Sequence, residues 1–150
     1  MKKIVAALVL ATLALAAPAH AAGNSTYLGA KILGWVTGTA MPASPGTLCV
    51  ALFNGDPTDA GTGGTEVSAT VRTAGRVCGT PFAITGKTMA NSAAVNFGPA
   101  AAGASFTYFA IFDAASAGNM LISGPVTGGG TTVSAGTTVS FAAGALSWAE

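Results

Sequence analysis

Three of the chain's five acidic residues, Asp56, Asp59 and Glu66, fall within one stretch, LCVALFNGDPTDAGTGGTEVS (residues 48–68). Carboxylates grouped like this could hold calcium together with loop carbonyls, since the ion takes several oxygen ligands. Two of them could also serve as acid and base on a glycosidic bond. The spacing argues against both. The acids of DPTDAGTGGTE stand at relative positions 1, 4 and 11, which is not the ligand pattern of an EF-hand loop. Asp56 and Asp59 lie in a Gly- and Thr-rich segment with no scaffold to hold two carboxylates at a working separation. Asp-Pro and Gly-Gly are ordinary turn chemistry, in which an Asp side chain caps its own backbone. The stretch reads as a structural loop. Asp56, Asp59 and Glu66 remain a candidate calcium set, and no cofactor or catalytic residue is assigned.

The other reactive side chains narrow the field further. The single histidine, His20, follows an N-terminal pattern of Lys2 and Lys3, the apolar run IVAALVLATLALAA and the Ala-x-Ala ending PAHA. That order is a secretory signal peptide over residues 1–21, with cleavage between Ala21 and Ala22. The run is too short to span a bilayer. Processing leaves one β-rich domain, residues 22–150, of about 129 residues, an ordinary domain size. It removes the only imidazole, and with it Ser-His-Asp or Cys-His catalysis and histidine-ligated metal. Lys31, Arg72, Arg76 and Lys87 then face Asp56, Asp59, Glu66, Asp113 and Glu150. There is no basic stripe for nucleic acid and no membrane anchor once the leader is gone. Charged residues make up 7% of the chain, and a surface so poor in charge repels its own copies weakly, which suits packed assembly.

Cys49 and Cys78 are the only cysteines. In an exported chain two thiols usually pair, and the bridge would enclose the acidic loop; two buried free thiols are the alternative. A loop of about 30 residues closed in this way is worth roughly 3 kcal/mol in the chain-entropy model.

The elements that must position these residues are mainly strands. NSTYLGAKILGWVT (24–37) is the one helical pattern. Asn24 or Ser25 can cap it, and Leu28, Ile32, Trp35 and Val36 form a stripe suited to covering a sheet. Beyond it, TLCVALF (47–53), a weak segment at Val67–Val71, Arg76–Thr85, Ala93–Phe97, SFTYFAIFD (105–113), MLISGPV (120–126), TTVSFAA (137–143) and Leu146–Ala149 read as strands separated by Gly-rich turns. GGGTTVSAG is read as a connecting loop. Phe109 and Phe112 point to opposite faces of one strand. The fold class is mainly β, an antiparallel β-sandwich or flattened barrel with one short N-terminal helix.

VALFNGDPTDAGTGGTEVS, FAIFDAASAGNMLISG and SAGTTVSFAAGAL, in this order from about Asn24 to Leu146, resemble the Gp80-like family of small phage tail fibre or minor tail proteins. The resemblance implies a compact β-structure that serves in an assembled particle without catalysis. The chain departs from the family in two places. The family's Gly-Tyr-x-Arg-like stretch is replaced by TVRTAGRVCG, and a secretory leader precedes the domain. Leader and cysteine pair agree on an oxidising, extracellular or cell-surface location. The function expected is a secreted, non-enzymatic structural subunit whose partner is a copy of itself, in a homo-oligomer or extracellular filament. The alternatives are an ordinary phage tail protein and a monomeric adhesive module binding a surface glycan through aromatics such as Tyr27, Trp35, Tyr108 and Trp148.

Overall fold

The computed structural model describes residues 23–149. The leader assigned to residues 1–21 and its cleavage site at Ala21 and Ala22 lie outside them. In chain order the elements are β1 (Gly23–Asn24), α1 (Thr26–Val36), β2 (Cys49–Phe53), α2 (Ser68–Val71), β3 (Val77–Cys78), β4 (Phe82–Thr85) and β5 (Thr88–Asn91). They continue with β6 (Val95–Pro99), β7 (Ala104–Phe106), β8 (Tyr108–Phe112), β9 (Met120–Pro125), β10 (Thr131–Val133), β11 (Thr138–Phe141) and β12 (Ser147–Ala149).

A five-stranded sheet in the order β1-β9-β8-β2-β3 is the backbone of the fold. Its pairings are antiparallel. The pairs β6–β11 and β7–β10 and the three-stranded sheet β12-β5-β4 complete the architecture. The fold is thus mainly β and antiparallel; no sheet among the described residues closes into a barrel, so of the two forms expected the flattened barrel is not the one adopted.

Side-chain alternation along β2 and β8 builds two cores on opposite faces of the large sheet. Val50, Leu52, Phe109, Ile111 and Ile122 face the main core, where they meet residues of the smaller sheets such as Phe97, Val133 and Val139. Cys49, Ala51, Phe53, Ala110, Phe112 and Met120 form a smaller cluster on the other face. Every residue of β2 is therefore buried. Phe109 and Phe112 occupy opposite faces, as the alternation requires.

Tertiary context redraws several elements. Val67–Val71, expected as a weak strand, holds the short helix α2, closed by the Val71 and Arg72 amides on the Val67 and Ser68 carbonyls, and the buried Ser68 hydroxyl accepts a hydrogen bond from the Leu52 amide at 2.9 Å. Arg76–Thr85 is broken between β3 and β4, where Gly79 takes φ +81° and the chain changes sheet. The run 105–113 is likewise divided at Thr107, so that β7 and β8 serve different sheets. Thr131–Val133, read as loop, pairs with β7, and Thr88–Asn91 forms a hairpin with β4. Buried Asn91 ties that hairpin to the C-terminal segment. Its Nδ2 donates to the carbonyls of Ala93 and Ala142, each at 2.8 Å, and its Oδ1 accepts from the Leu146 amide at 2.9 Å.

Candidate functional site

The acidic loop covers the smaller core, and Arg76 fastens it there. Arg76 stands two residues before Cys78, whose partner Cys49 lies directly opposite in the β2–β3 register. The structure joins the two cysteines in a disulfide, with Cα atoms 4.0 Å apart. Cys49 is buried and Cys78 exposed. A strand of two residues has little pairing of its own, so the covalent bond holds the chain beside β2 and delivers Arg76 to the sheet face.

There the Arg76 side chain is 8% exposed. Its Nε donates to Glu66 Oε1 at 2.9 Å and its Nη2 to Glu66 Oε2 at 2.8 Å, the two-pronged geometry that fits a guanidinium to a carboxylate. Its Nη1 donates to the carbonyls of Ala114 at 3.0 Å and Ala117 at 2.8 Å. The guanidinium also lies 3.5 Å from the centre of the Phe112 ring, a cation–π contact. Arg76 thereby joins three pieces of chain remote in sequence: the acidic loop, the β8–β9 turn and the sheet beneath them.

Both partners of the arginine are prepared locally. Glu66 bridges Phe53 of β2, and Val67 donates its amide to the Leu52 carbonyl at 2.8 Å. Burial pushes the Glu66 carboxyl up, but hydrogen bonds from Arg76 and Ser68 and the Arg76 charge outweigh it, leaving the group below the ordinary value. In the β8–β9 turn Asp113 accepts from the Asn119 amide at 2.7 Å and from Asn119 Nδ2 at 2.8 Å. The Asn119 side chain chiefly lowers the Asp113 carboxyl, against a smaller upward effect of burial.

The other acids of the candidate calcium set are placed apart from this pair. Asp56 accepts from the Thr58 amide at 2.8 Å, closing its own turn, and the side chain of Asp59 is exposed. The loop folds back so tightly that a Cβ on Gly63 would stand 2.6 Å from the Asp56 carbonyl. Asp59 contributes its carbonyl, which accepts from the Thr26 amide at 2.8 Å and moors the loop to the start of α1. Among the described residues no three His, Cys, Asp or Glu side chains gather where a metal ion could be held. What this arrangement can do is hold backbone in place.

Ser25 caps α1, accepting from the Leu28 amide at 3.1 Å while its hydroxyl donates to the Met120 carbonyl. Leu28 packs against the main core. The helix stripe was expected to cover the sheet along its length, and only its first half does so. Ile32 is half-buried, whereas Trp35 is 62% and Val36 70% exposed, with Leu33 beside them at 68%. The helix overhangs the sheet, and its last turn has no wall to lie against. Of the aromatics considered for glycan binding, Tyr27, Tyr108 and Trp148 are half-buried and Trp35 is exposed.

Residue types alone did not single out Arg76 or Asn91. An arginine in an otherwise apolar strand segment, RVC, was the available signal, because a cation there must find an anion or leave the sheet.

The chain is a disulfide-tied antiparallel β-structure in which Arg76 and Asn91 fasten loop backbone to the sheets. Residues 23–149 match the family described as podophage GP4 fiber I protein gp80. The chain belongs to this family of phage fibre structural proteins. No match was found among curated proteins.

Proposed function

We propose that this chain is an exported, non-enzymatic structural subunit of the phage-fibre type that associates with its own copies into an extracellular filament or surface assembly. One observation carries the reading: the fibre-family match begins at residue 23, directly after a segment with the order of a cleavable secretory leader. The Cys49–Cys78 bridge supports the same compartment. The scarcity of charge and the apolar helix end favour contact between like copies. No helix among the described residues is long and apolar enough to cross a membrane. A second reading, an ordinary virion fibre protein with a leader-like N-terminus, draws on the family description alone.

The test is to express the full chain, recover it from medium and cell surface, sequence its N-terminus and view it by negative-stain electron microscopy. Regular assemblies of subunits beginning at Ala22 are expected. Subunits that keep Met1 and stay inside the cell would refute export. Dispersed monomers beginning at Ala22 would refute self-assembly and favour the adhesive module, to be followed with glycan arrays.

A further inference from the structure

We propose that the Cys49–Cys78 bridge is a redox-operated latch: thiol–disulfide exchange at Cys78 in the folded chain frees Arg76, and with it both the acidic loop and the 113–119 turn, while the main core stays packed. The latch goes beyond the structural role above and does not depend on it.

The bridge is unequally presented. Cys49 is 1% exposed, on a strand flanked by β8 and β3, whereas Cys78 is exposed. Access helps decide which sulfur a thiolate attacks, so exchange begins at Cys78. An external dithiol attacks Cys78 Sγ as its thiolate; the S–S bond breaks, and the bonding pair leaves on Cys49 Sγ, which takes up a proton. The reagent's second thiolate then displaces Cys78 as a thiolate, which is protonated in turn, and the reagent departs as a disulfide. Two electrons thus pass from dithiol to bridge, and a disulfide reagent closes the latch by the reverse steps. An oxidising compartment keeps it shut and a reducing one opens it.

The segment held by the bond has few other attachments. β3 is in register with β2 at Val77 and Cys78 alone, followed by a bond from the Gly79 amide to the Leu48 carbonyl at 3.0 Å. Val77 is half-buried against the main core. β2 is in register with β8 over five residues, so cutting the bridge leaves β2 in place and β3 is the part that moves. The Arg76–Glu66 pair does not hold β3 by itself. In an open state both ions reach water, and a buried ion pair gains little over two ions hydrated apart. The covalent bond, two residues from Arg76, decides whether the clamp is made.

One cleavage therefore releases two segments, because Arg76 reaches Glu66 on one side and the carbonyls of Ala114 and Ala117 on the other. Beneath them lies the smaller core. The guanidinium covers the Phe112 ring, and Gly61 of the acidic loop sits so close to Met120 that a Cβ on it would meet Met120 Cε at 3.7 Å. Opening the latch turns this polar cover into an exposed apolar patch that includes Phe53, Phe112 and Met120.

The test uses the full chain recovered from expressing cells with its bridge formed, at neutral pH without denaturant. Dithiothreitol is added, samples are acid-quenched and alkylated, mass spectrometry counts free thiols, and hydrogen exchange follows each segment. Reduction is expected at a rate proportional to reagent concentration and about tenfold or more faster than the slowest amides of β2 and β8 open. Exchange should then rise about tenfold in 54–66 and 113–119 and stay within about twofold in β2 and β8. Glutathione, a monothiol, should be trapped on Cys78 with Cys49 alkylated. The shift in urea midpoint caused by Arg76→Ala should shrink in reduced protein to about a third or less of its value with the bridge intact, since the two changes remove one latch.

Reduction at a rate independent of dithiothreitol concentration overturns the proposal, because the bridge then opens only with the whole fold. So does exchange that rises equally in β2 and β8, unchanged exchange in the two segments after reduction, glutathione trapped on Cys49, or an Arg76→Ala shift of equal size in both redox states. If Arg76→Ala does not fold, Arg76→Lys, which keeps the charge and loses the planar fork, takes its place under the same criterion. None of these readouts depends on where the chain resides or on whether it assembles.

Discussion

Replacing Arg76 with Ala should cost about 3 kcal/mol, because one side chain satisfies two oxygens of Glu66 and the carbonyls of Ala114 and Ala117. Removing one partner of a buried ion pair costs about 3–5 kcal/mol, since the survivor keeps its desolvation and loses its charge partner. The Glu66 side chain is 31% exposed, so water can reach it and the lower end of that range applies. The two turn carbonyls lose a charged donor, and the Phe112 ring loses the group lying on it. The assay is urea unfolding at neutral pH with the disulfide intact, in wild type, Arg76→Ala, Glu66→Gln and the double variant. A coupling of about 1.5–2 kcal/mol is expected for the pair, as hydrogen bonds to charged groups are worth about that much. Hydrogen exchange should rise in both the acidic loop and the 113–119 turn, because one residue holds both. An Arg76→Ala loss under about 1 kcal/mol, within the range of ordinary surface substitutions, would refute the reasoning, as would faster exchange confined to one of the two segments.

Other consequences follow from the same contacts. Glu66 is depressed in the folded state, so its contribution is complete above the unfolded Glu value of about 4.3 and disappears as pH falls through the lower folded value. The difference in melting temperature between wild type and Glu66→Gln should therefore shrink in acid, and a constant difference from pH 7 to pH 2 would contradict the pairing. Reduction of Cys49–Cys78, 29 residues apart in sequence, should lower stability by about 3–4 kcal/mol in the chain-entropy model and open the 54–66 loop to limited proteolysis. Asn91→Ala should cost about 2–4 kcal/mol in the same unfolding assay, because the Leu146 amide and two carbonyls lose their partner. Gly118 has φ +71° and a Cβ there would approach Asp113 Oδ1 to 2.5 Å, so Gly118→Ala should destabilise by about 1–3 kcal/mol.

The sequence by itself determined what depends on residue type and short spacing. Runs of apolar, aromatic and β-branched residues marked β2, β8 and β9, and Phe109 and Phe112 could be put on opposite faces because side chains alternate along any strand. Ser25 was one of two candidate caps, since a hydroxyl before a helical stripe can accept a first-turn amide. The family order along nearly the whole described chain was legible in three stretches of sequence. The tertiary structure alone decided which groups meet across long separations. Glu66 could be grouped by proximity in sequence with Asp56 and Asp59, yet its partner is Arg76, which the β2–β3 pairing and the disulfide bring to it. The Ser68 hydroxyl, in a segment expected as a weak strand and folded as a helix, accepts from the Leu52 amide, a contact without any local signature. Gly79 and Thr107 divided continuous apolar runs because the chain must leave one sheet to complete another. The stripe on α1 was visible from its spacing, but where the sheet ends beneath it, and hence that Trp35 and Val36 stay uncovered, depends on the relative lengths and placement of packed elements, which periodicity along one element does not encode.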